Sequence, residues 1–177
     1  MFWSVAVLAF LADQASKEAA LAFMDRTSRI PILPGLFELR LEFNPGAAFS
    51  LFVGGRWFFV GVSAAALVFL PSYLRGLVRG GEHHRIYPLA LGLILGGAMG
   101  NALDRCFRPK GYVVDFFHAY WGKHSFPVFN VADSAITVGL GVLLLAMFLI
   151  GERETPPTEE QGEGESNVAG SVQDRQL

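Results

Sequence analysis

Ile86-Tyr87-Pro88-Leu89-Ala90-Leu91-Gly92-Leu93-Ile94-Leu95-Gly96-Gly97-Ala98-Met99-Gly100-Asn101-Ala102-Leu103 runs without a charged side chain and ends on Asp104-Arg105. Such a run approaches the ~20 residues that a helix needs to cross a ~30 Å hydrocarbon core. Trp57 to Leu74 and Ser134 to Ile150 read the same way. A fourth stretch, Phe2 to Phe23, is long enough but contains Asp13, Lys17 and Glu18. No Lys or Arg precedes its apolar part, so it lacks the basic start of a cleavable signal peptide and reads as a permanent first helix. The expected fold is an all-α membrane protein with four transmembrane helices, at 2–23, 57–74, 86–103 and 134–150.

Composition agrees. Of 177 residues, 52% are hydrophobic and only 17% charged, more apolar than a soluble domain of this size usually is. Residues 152–177 hold seven acidic and two basic side chains, leaving nine acidic and twelve basic in the body. That tail is rich in Glu, Gly, Pro, Ser and Gln and poor in aliphatics, so it is expected to be disordered, outside a four-helix transmembrane domain of 1–151. Cys106 is the only cysteine, which excludes an intramolecular disulfide and leaves a zinc site without a second soft ligand.

Four spans leave three loops. The middle one, residues 75–85, gathers Arg75, Arg79, Arg85, His83 and His84, and by the positive-inside rule it is cytoplasmic. Both termini then lie inside and both long loops outside, although Arg26, Arg29, Arg40 and Arg56 in the first long loop pull against that orientation. Phe37-Glu38-Leu39-Arg40-Leu41-Glu42-Phe43 alternates apolar and charged residues, which predicts a half-buried strand, followed by an Asn44-Pro45-Gly46 turn. Either a small sheet at the membrane surface or a strand on an unrelated loop would satisfy it. The second outer loop, Tyr112 to Trp121, is aromatic, suits the headgroup region and is expected to dip into the interface.

The threading brings the end of helix 1, the start of helix 2, the end of helix 3 and the start of helix 4 to one side of the membrane. On that side stand Asp13, Lys17, Asn44, Asn101, Asp104, Arg105, Asp115, Asn130 and Asp133, and the opposite side has no comparable set. Each has a structural reading of its own. Asp13 and Lys17 are four apart and could pair within the bilayer, or contact substrate. Asn101, Asp104 and Arg105 could cap helix 3 and reach the headgroups. Asp133 suits the positive end of helix 4.

Together they point to chemistry. Asp115 and Asp133 bound one loop beside aromatics, and two carboxylates held close in a poorly solvated site cannot both ionise readily. Such a pair can hydrolyse an amide with no cofactor and no metal: the ionised member takes a proton from water, and the protonated member donates to the carbonyl oxygen. Competing schemes fare worse. Ser50, Ser63, Ser72, Ser125 and Ser134 stand in no nucleophile-elbow pattern, and Ser16 is adjacent to Lys17 and so points elsewhere. His118 and His124 are six apart and read as headgroup or solvent contacts. Gly92, Gly96, Gly97 and Gly100 form small-residue spacings that favour close helix packing. The alternative class is a small proton-coupled membrane transporter, which expects ionisable groups through the whole membrane depth, whereas the first half of helix 3 and the second half of helix 4 carry none.

Five blocks resemble, in order, the signatures of the lipoprotein signal peptidase (signal peptidase II) family: Asp13-Gln14-Ala15-Ser16-Lys17; Asn44-Pro45-Gly46-Ala47-Ala48-Phe49-Ser50; Gly96-Gly97-Ala98-Met99-Gly100-Asn101-Ala102-Leu103-Asp104-Arg105; Val113-Val114-Asp115-Phe116; and Phe129-Asn130-Val131-Ala132-Asp133-Ser134. The resemblance covers residues 1 to about 150. It implies a monomeric bacterial inner-membrane aspartyl endopeptidase, in contact with membrane lipids and with no nucleic-acid partner. Its substrates would be prolipoproteins, cut before a diacylglyceryl-modified cysteine, and cyclic peptide antibiotics such as globomycin would inhibit it. It further implies that Asp115 and Asp133 are catalytic, that Asn44, Gly46, Asn101, Arg105, Asn130 and Ala132 shape the substrate site, and that Asp13, Lys17 and Asp104 brace it. The segment Cys106 to Lys110 is longer than the family pattern, and the tail is more acidic.

Overall fold

The computed structural model describes residues 1–46 and 55–151. Residues Ala47 to Ser50 of the second block, and the tail expected to be disordered, lie outside them. The element order is α1 (Phe2–Phe23), β1 (Arg29–Leu33), β2 (Phe37–Asn44), α2 (Arg56–Arg79), α3 (Ile86–Phe107), a 3-10 turn at Pro109–Gly111, β3 (Val113–Trp121), β4 (His124–Ser125) and α4 (Val131–Gly151).

Among the described residues, α2, α3 and α4 are long and apolar enough to cross a membrane. α1, expected as the first of four spans, has the length at 22 residues, but Asp13, Lys17 and Glu18 keep it from the same measure of apolarity. α2 runs on past the predicted end at Leu74 to Arg79. The charge-free stretch marks only what suits hydrocarbon, and a helix can continue into the headgroups, where Arg79 in the last turn also suits the negative end of its dipole.

α3 is the central helix, and its glycines set the spacing. A Cβ on Gly96 would lie 2.5 Å from Ala6 O and 2.7 Å from Ala9 Cβ of α1; one on Gly92 would lie 2.8 Å from Phe2 O. Gly97 faces the other way and meets Ala132 O and Ile136 of α4. The glycines four apart thus seat α1 and the adjacent Gly97 seats α4, so backbones touch where side chains would hold them apart. α2 packs its Ala66, Leu70, Tyr73 and Leu74 on the core formed by Phe2, Ala6, Leu91 and Leu95. Its Trp57, Phe58, Val68 and Phe69 face outward, which suits hydrocarbon surroundings.

The four strands form an antiparallel sheet in the order β1-β2-β3-β4. Two expectations change here. First, Tyr112 to Trp121 is not a loop: Val113–Trp121 is a strand paired along β2, with Val113, Val114, Asp115 and Phe116 buried. It lacks the alternation that marks half-buried strands because both faces of its first half are covered. Second, the alternation of β2 is interrupted by a register shift between Leu39 and Glu42, so that Glu38 and Leu41, three apart, are both buried. β3 is also irregular, since Phe116 N and Phe117 N both donate to Phe129 O at 3.0 and 2.8 Å, the pattern of a β-bulge.

Candidate active site

The bridge between sheet and helices is the first turn of α4. Asn130 precedes it, and its Oδ1 accepts from Asp133 N (2.9 Å) while Asp133 Oδ2 accepts from Asn130 N (3.2 Å). This reciprocal capping satisfies amides that a helix start leaves unpaired. Asp13 of α1 supplies a further cap, its Oδ1 accepting from Ala132 N at 2.9 Å. Asp133 is thereby fixed as part of the helix start, with its Oδ1 left to accept from Asn101 Nδ2 at 2.7 Å.

Asn101 is oriented by a cation. Lys17 is fully buried, and its ammonium meets Asp13 Oδ2 (2.8 Å), Asp104 Oδ2 (3.0 Å) and Asn101 Oδ1 (2.9 Å). An ammonium has three donors and no acceptor, so these three oxygens use it fully. Asn101 must turn its oxygen to Lys17, and its amide nitrogen then faces Asp133. Lys17 is therefore fully engaged by groups of the protein itself and buried from solvent. Asp104 takes two more donors, Arg108 Nε at 2.7 Å and Val114 N at 3.2 Å, the second tying α3 to β3.

Asp115 enters from β3 and is 2% exposed. Asn130 Nδ2 donates to its Oδ1 at 2.6 Å and Asn44 Nδ2 to its Oδ2 at 3.0 Å. Asn44 is oriented in turn, because its Oδ1 accepts from Gly46 N (2.9 Å) in an Asx turn. Asn130 therefore joins both aspartates, holding Asp115 with its amide nitrogen and Asp133 with its backbone and amide oxygen. Burial, and then the charge of Asp133, push the Asp115 carboxyl up to about 7, against the lowering effect of Asn44 and Asn130. A carboxyl in that range holds or releases a proton near neutral pH.

Arg105 is half-buried: Nη2 donates to Gly46 O at 2.9 Å, Nη1 to Asn101 O at 3.3 Å, and the guanidinium lies 4.7 Å from the Phe59 ring centre. It pins the Asn44–Gly46 turn to α3 and α2. Ala132 is buried and contributes its backbone amide to Asp13.

A cleft of about 440 Å³ opens beside Asp115, lined by Asn44, Pro45, Glu42, His118, Ser125 and Phe126 among others. Asp115 and His118 are three apart, which would set them on opposite faces of a regular strand; the irregular β3 lets both border one cleft. His118 is buried rather than a solvent contact, with Glu38 Oε1 at 2.9 Å from Nδ1 and Ser125 Oγ at 2.7 Å from Nε2. Sequence reasoning missed this group, since nothing in the spacing of Glu38, His118 and Ser125 marks them as neighbours. Among the described residues no group of three or more His, Cys, Asp and Glu is gathered as a metal site.

Apolar helices packed round a buried polar cluster define a multi-pass membrane protein. The family model described as "Signal peptidase (SPase) II" matches residues 5–149. A lipoprotein signal peptidase of Symbiobacterium thermophilum is 42% identical, over 85% of this chain and 96% of that one. One of Bacillus subtilis is 35% identical, over 84% and 94%. A bacterial membrane enzyme whose structure was determined in meso at 2.3 Å is similar with a TM-score of 0.75 at 25% identity, covering 92% of each chain. The chain belongs to the signal peptidase II family, and so to the peptidases. That membership sets the transporter alternative aside.

Proposed function

We propose that the chain is an intramembrane aspartyl endopeptidase that removes signal peptides from prolipoproteins, cutting before the diacylglyceryl-modified cysteine, with Asp115 and Asp133 as the catalytic pair. The observation that carries this is the double link through Asn130, which couples the buried Asp115 to the half-buried Asp133 of a separate element, while burial and the neighbouring Asp133 raise the Asp115 carboxyl to about 7. Near neutral pH the pair holds one proton. Asp133, as the ionised member, takes a proton from water as it attacks the scissile carbonyl. Asp115, as the acid, donates to the carbonyl oxygen, and the proton gained by Asp133 goes to the departing amine. Asn44, Asn101 and Asn130 hold the carboxylates, while Gly46, Arg105 and Ala132 fix the backbone around them.

α1 completes a four-helix membrane domain in this reading, because its buried charges are paired within the protein and present no net demand on lipid. The enzyme lies in the bacterial inner membrane with both termini cytoplasmic and the site near the outer face. There a lipidated substrate can arrive laterally with its acyl chains in the leaflet, and water can enter from outside. The enzyme acts as a monomer, and cyclic peptides such as globomycin compete for the site. The test is cleavage of a purified diacylglyceryl-modified prolipoprotein by reconstituted protein. Asp115→Asn and Asp133→Asn should each abolish cleavage while the protein remains folded and membrane-inserted, and globomycin should inhibit the unaltered chain. Substantial residual cleavage by either variant would overturn the aspartyl mechanism.

A further inference from the structure

Outside the aspartate pair, one set of side chains is connected as an activated hydroxyl requires. Glu38 of β2 accepts from both Arg29 (3.0 Å) and His118, and the His118 hydrogen bond, chiefly, with Arg29 adding to it, holds the carboxyl below its ordinary range. Glu38 therefore stays anionic at neutral pH and can only accept. His118 Nδ1 must then carry its proton toward Glu38, and in the neutral imidazole Nε2 is left as the acceptor. The hydroxyl of Ser125 on β4 lies 2.7 Å from that nitrogen and donates to it. The imidazole is held in plane from the side by Tyr120, whose ring stacks at 5.3 Å and 22°. Three strands thus supply one carboxylate, one base and one hydroxyl in sequence, and the hydroxyl lines the cleft that also contains Asp115.

We propose that Ser125 is a nucleophilic modification site, activated by His118 and oriented through Glu38, that reacts with activated acyl and phosphonyl esters entering this cleft. The connectivity, hydroxyl to Nε2 and Nδ1 to carboxylate, is the arrangement that raises serine reactivity in enzymes of unrelated fold. With a phosphonofluoridate, the Ser125 Oγ–P bond forms as the P–F bond breaks. Fluoride leaves, and the hydroxyl proton passes to His118 Nε2 and from there to solvent. With an acyl ester, Oγ–C forms, the ester C–O breaks and the alcohol leaves with that proton. The adduct stands at the mouth of the cleft beside Asp115.

The experiment is labelling of the full-length protein in detergent with a fluorophosphonate probe, followed by mass spectrometry of the peptide that contains Ser125. One adduct on Ser125 is expected. Labelling should be absent at that peptide in Ser125→Ala and slowed about a hundredfold in His118→Gln, within the ~10²–10⁴ that a positioned base contributes. Because His118→Gln could disturb the sheet, Ser125→Cys supplies an independent reading: iodoacetamide should alkylate it faster than the same thiol in the Ser125→Cys, His118→Gln double variant. Failure of the unaltered protein to label at Ser125, or equal rates with and without His118 in both series, would overturn the proposal. Neither outcome bears on peptide cleavage by the aspartates, since the probe reports chemistry at Ser125 alone.

Discussion

Asn44→Ala offers a quantitative test of how the site tunes Asp115. The side chain donates to Asp115 Oδ2 at 3.0 Å and lowers its carboxyl from where burial and Asp133 would otherwise put it. A hydrogen bond to a charged group contributes ~1.5–3 kcal/mol, and one pKa unit corresponds to about 1.4 kcal/mol, so its removal should raise the Asp115 carboxyl by about one to two units from about 7. The direction follows from which state is favoured: Asn44 stabilises the carboxylate, so without it the proton is held to higher pH. If Asp115 must be protonated to act as the acid, the alkaline limb of kcat/KM should move upward by that amount even as the rate at its maximum falls. The assay is a pH profile of prolipoprotein cleavage in a single lipid mixture, with circular dichroism checking that the variant stays folded across the range. An alkaline limb that stays in place, or moves to lower pH, would refute the assignment of Asp115 as the acid.

Three further outcomes follow from the same geometry. The Asp115 carboxyl sits at about 7 in the folded protein against 3.8 unperturbed, so the stability it allows is fully present below about 4 and is lost as pH rises through about 7; thermal melts should therefore find Asp115→Asn matching the unaltered chain at low pH and more stable above pH 7, by up to about 4 kcal/mol. Lys17→Met strips the cation from buried Asp13 and Asp104 and should cost ~3–5 kcal/mol in a denaturant titration, with part of the loss recovered when Asp13→Asn and Asp104→Asn are added. Gly96→Ala places a methyl 2.5 Å from Ala6 O, and should lower stability in detergent by ~1–3 kcal/mol, whereas Gly61→Ala, with nothing within 4 Å, should be close to neutral.

The helices were legible because hydrocarbon imposes a length and an apolarity that a single sequence displays directly. The spacing of Asp13 and Lys17 indicated a contact, and the fourfold glycine spacing indicated close packing, because both depend on helical period alone. The start of α4 was also open to reading, since Asn130 and Asp133 stand three apart ahead of an apolar run. β3 was not. Its buried half removes the alternation by which strands are recognised, and its pairing with β2 depends on a partner some seventy residues away. The Glu38, His118 and Ser125 group was hidden for the same reason, compounded by irregularities in both strands that no local pattern encodes. Arg105 could be placed near the site but not given its partner, because Gly46 O becomes available only once the Asx turn has formed.

The two aspartates belong to bodies that the bilayer treats differently. Asp133 is built into the first turn of a helix that must match the hydrocarbon thickness, whereas Asp115 rides on a sheet packed against the ends of α1 and α3. A thicker or thinner membrane changes the tilt of α4 and carries Asp133 with it, while the sheet follows α1 and α3. The Asn130 link spans the two, so a change of acyl-chain length in a reconstituted bilayer is expected to alter the spacing of the carboxylates, and cleavage with it, through no ligand and no substitution.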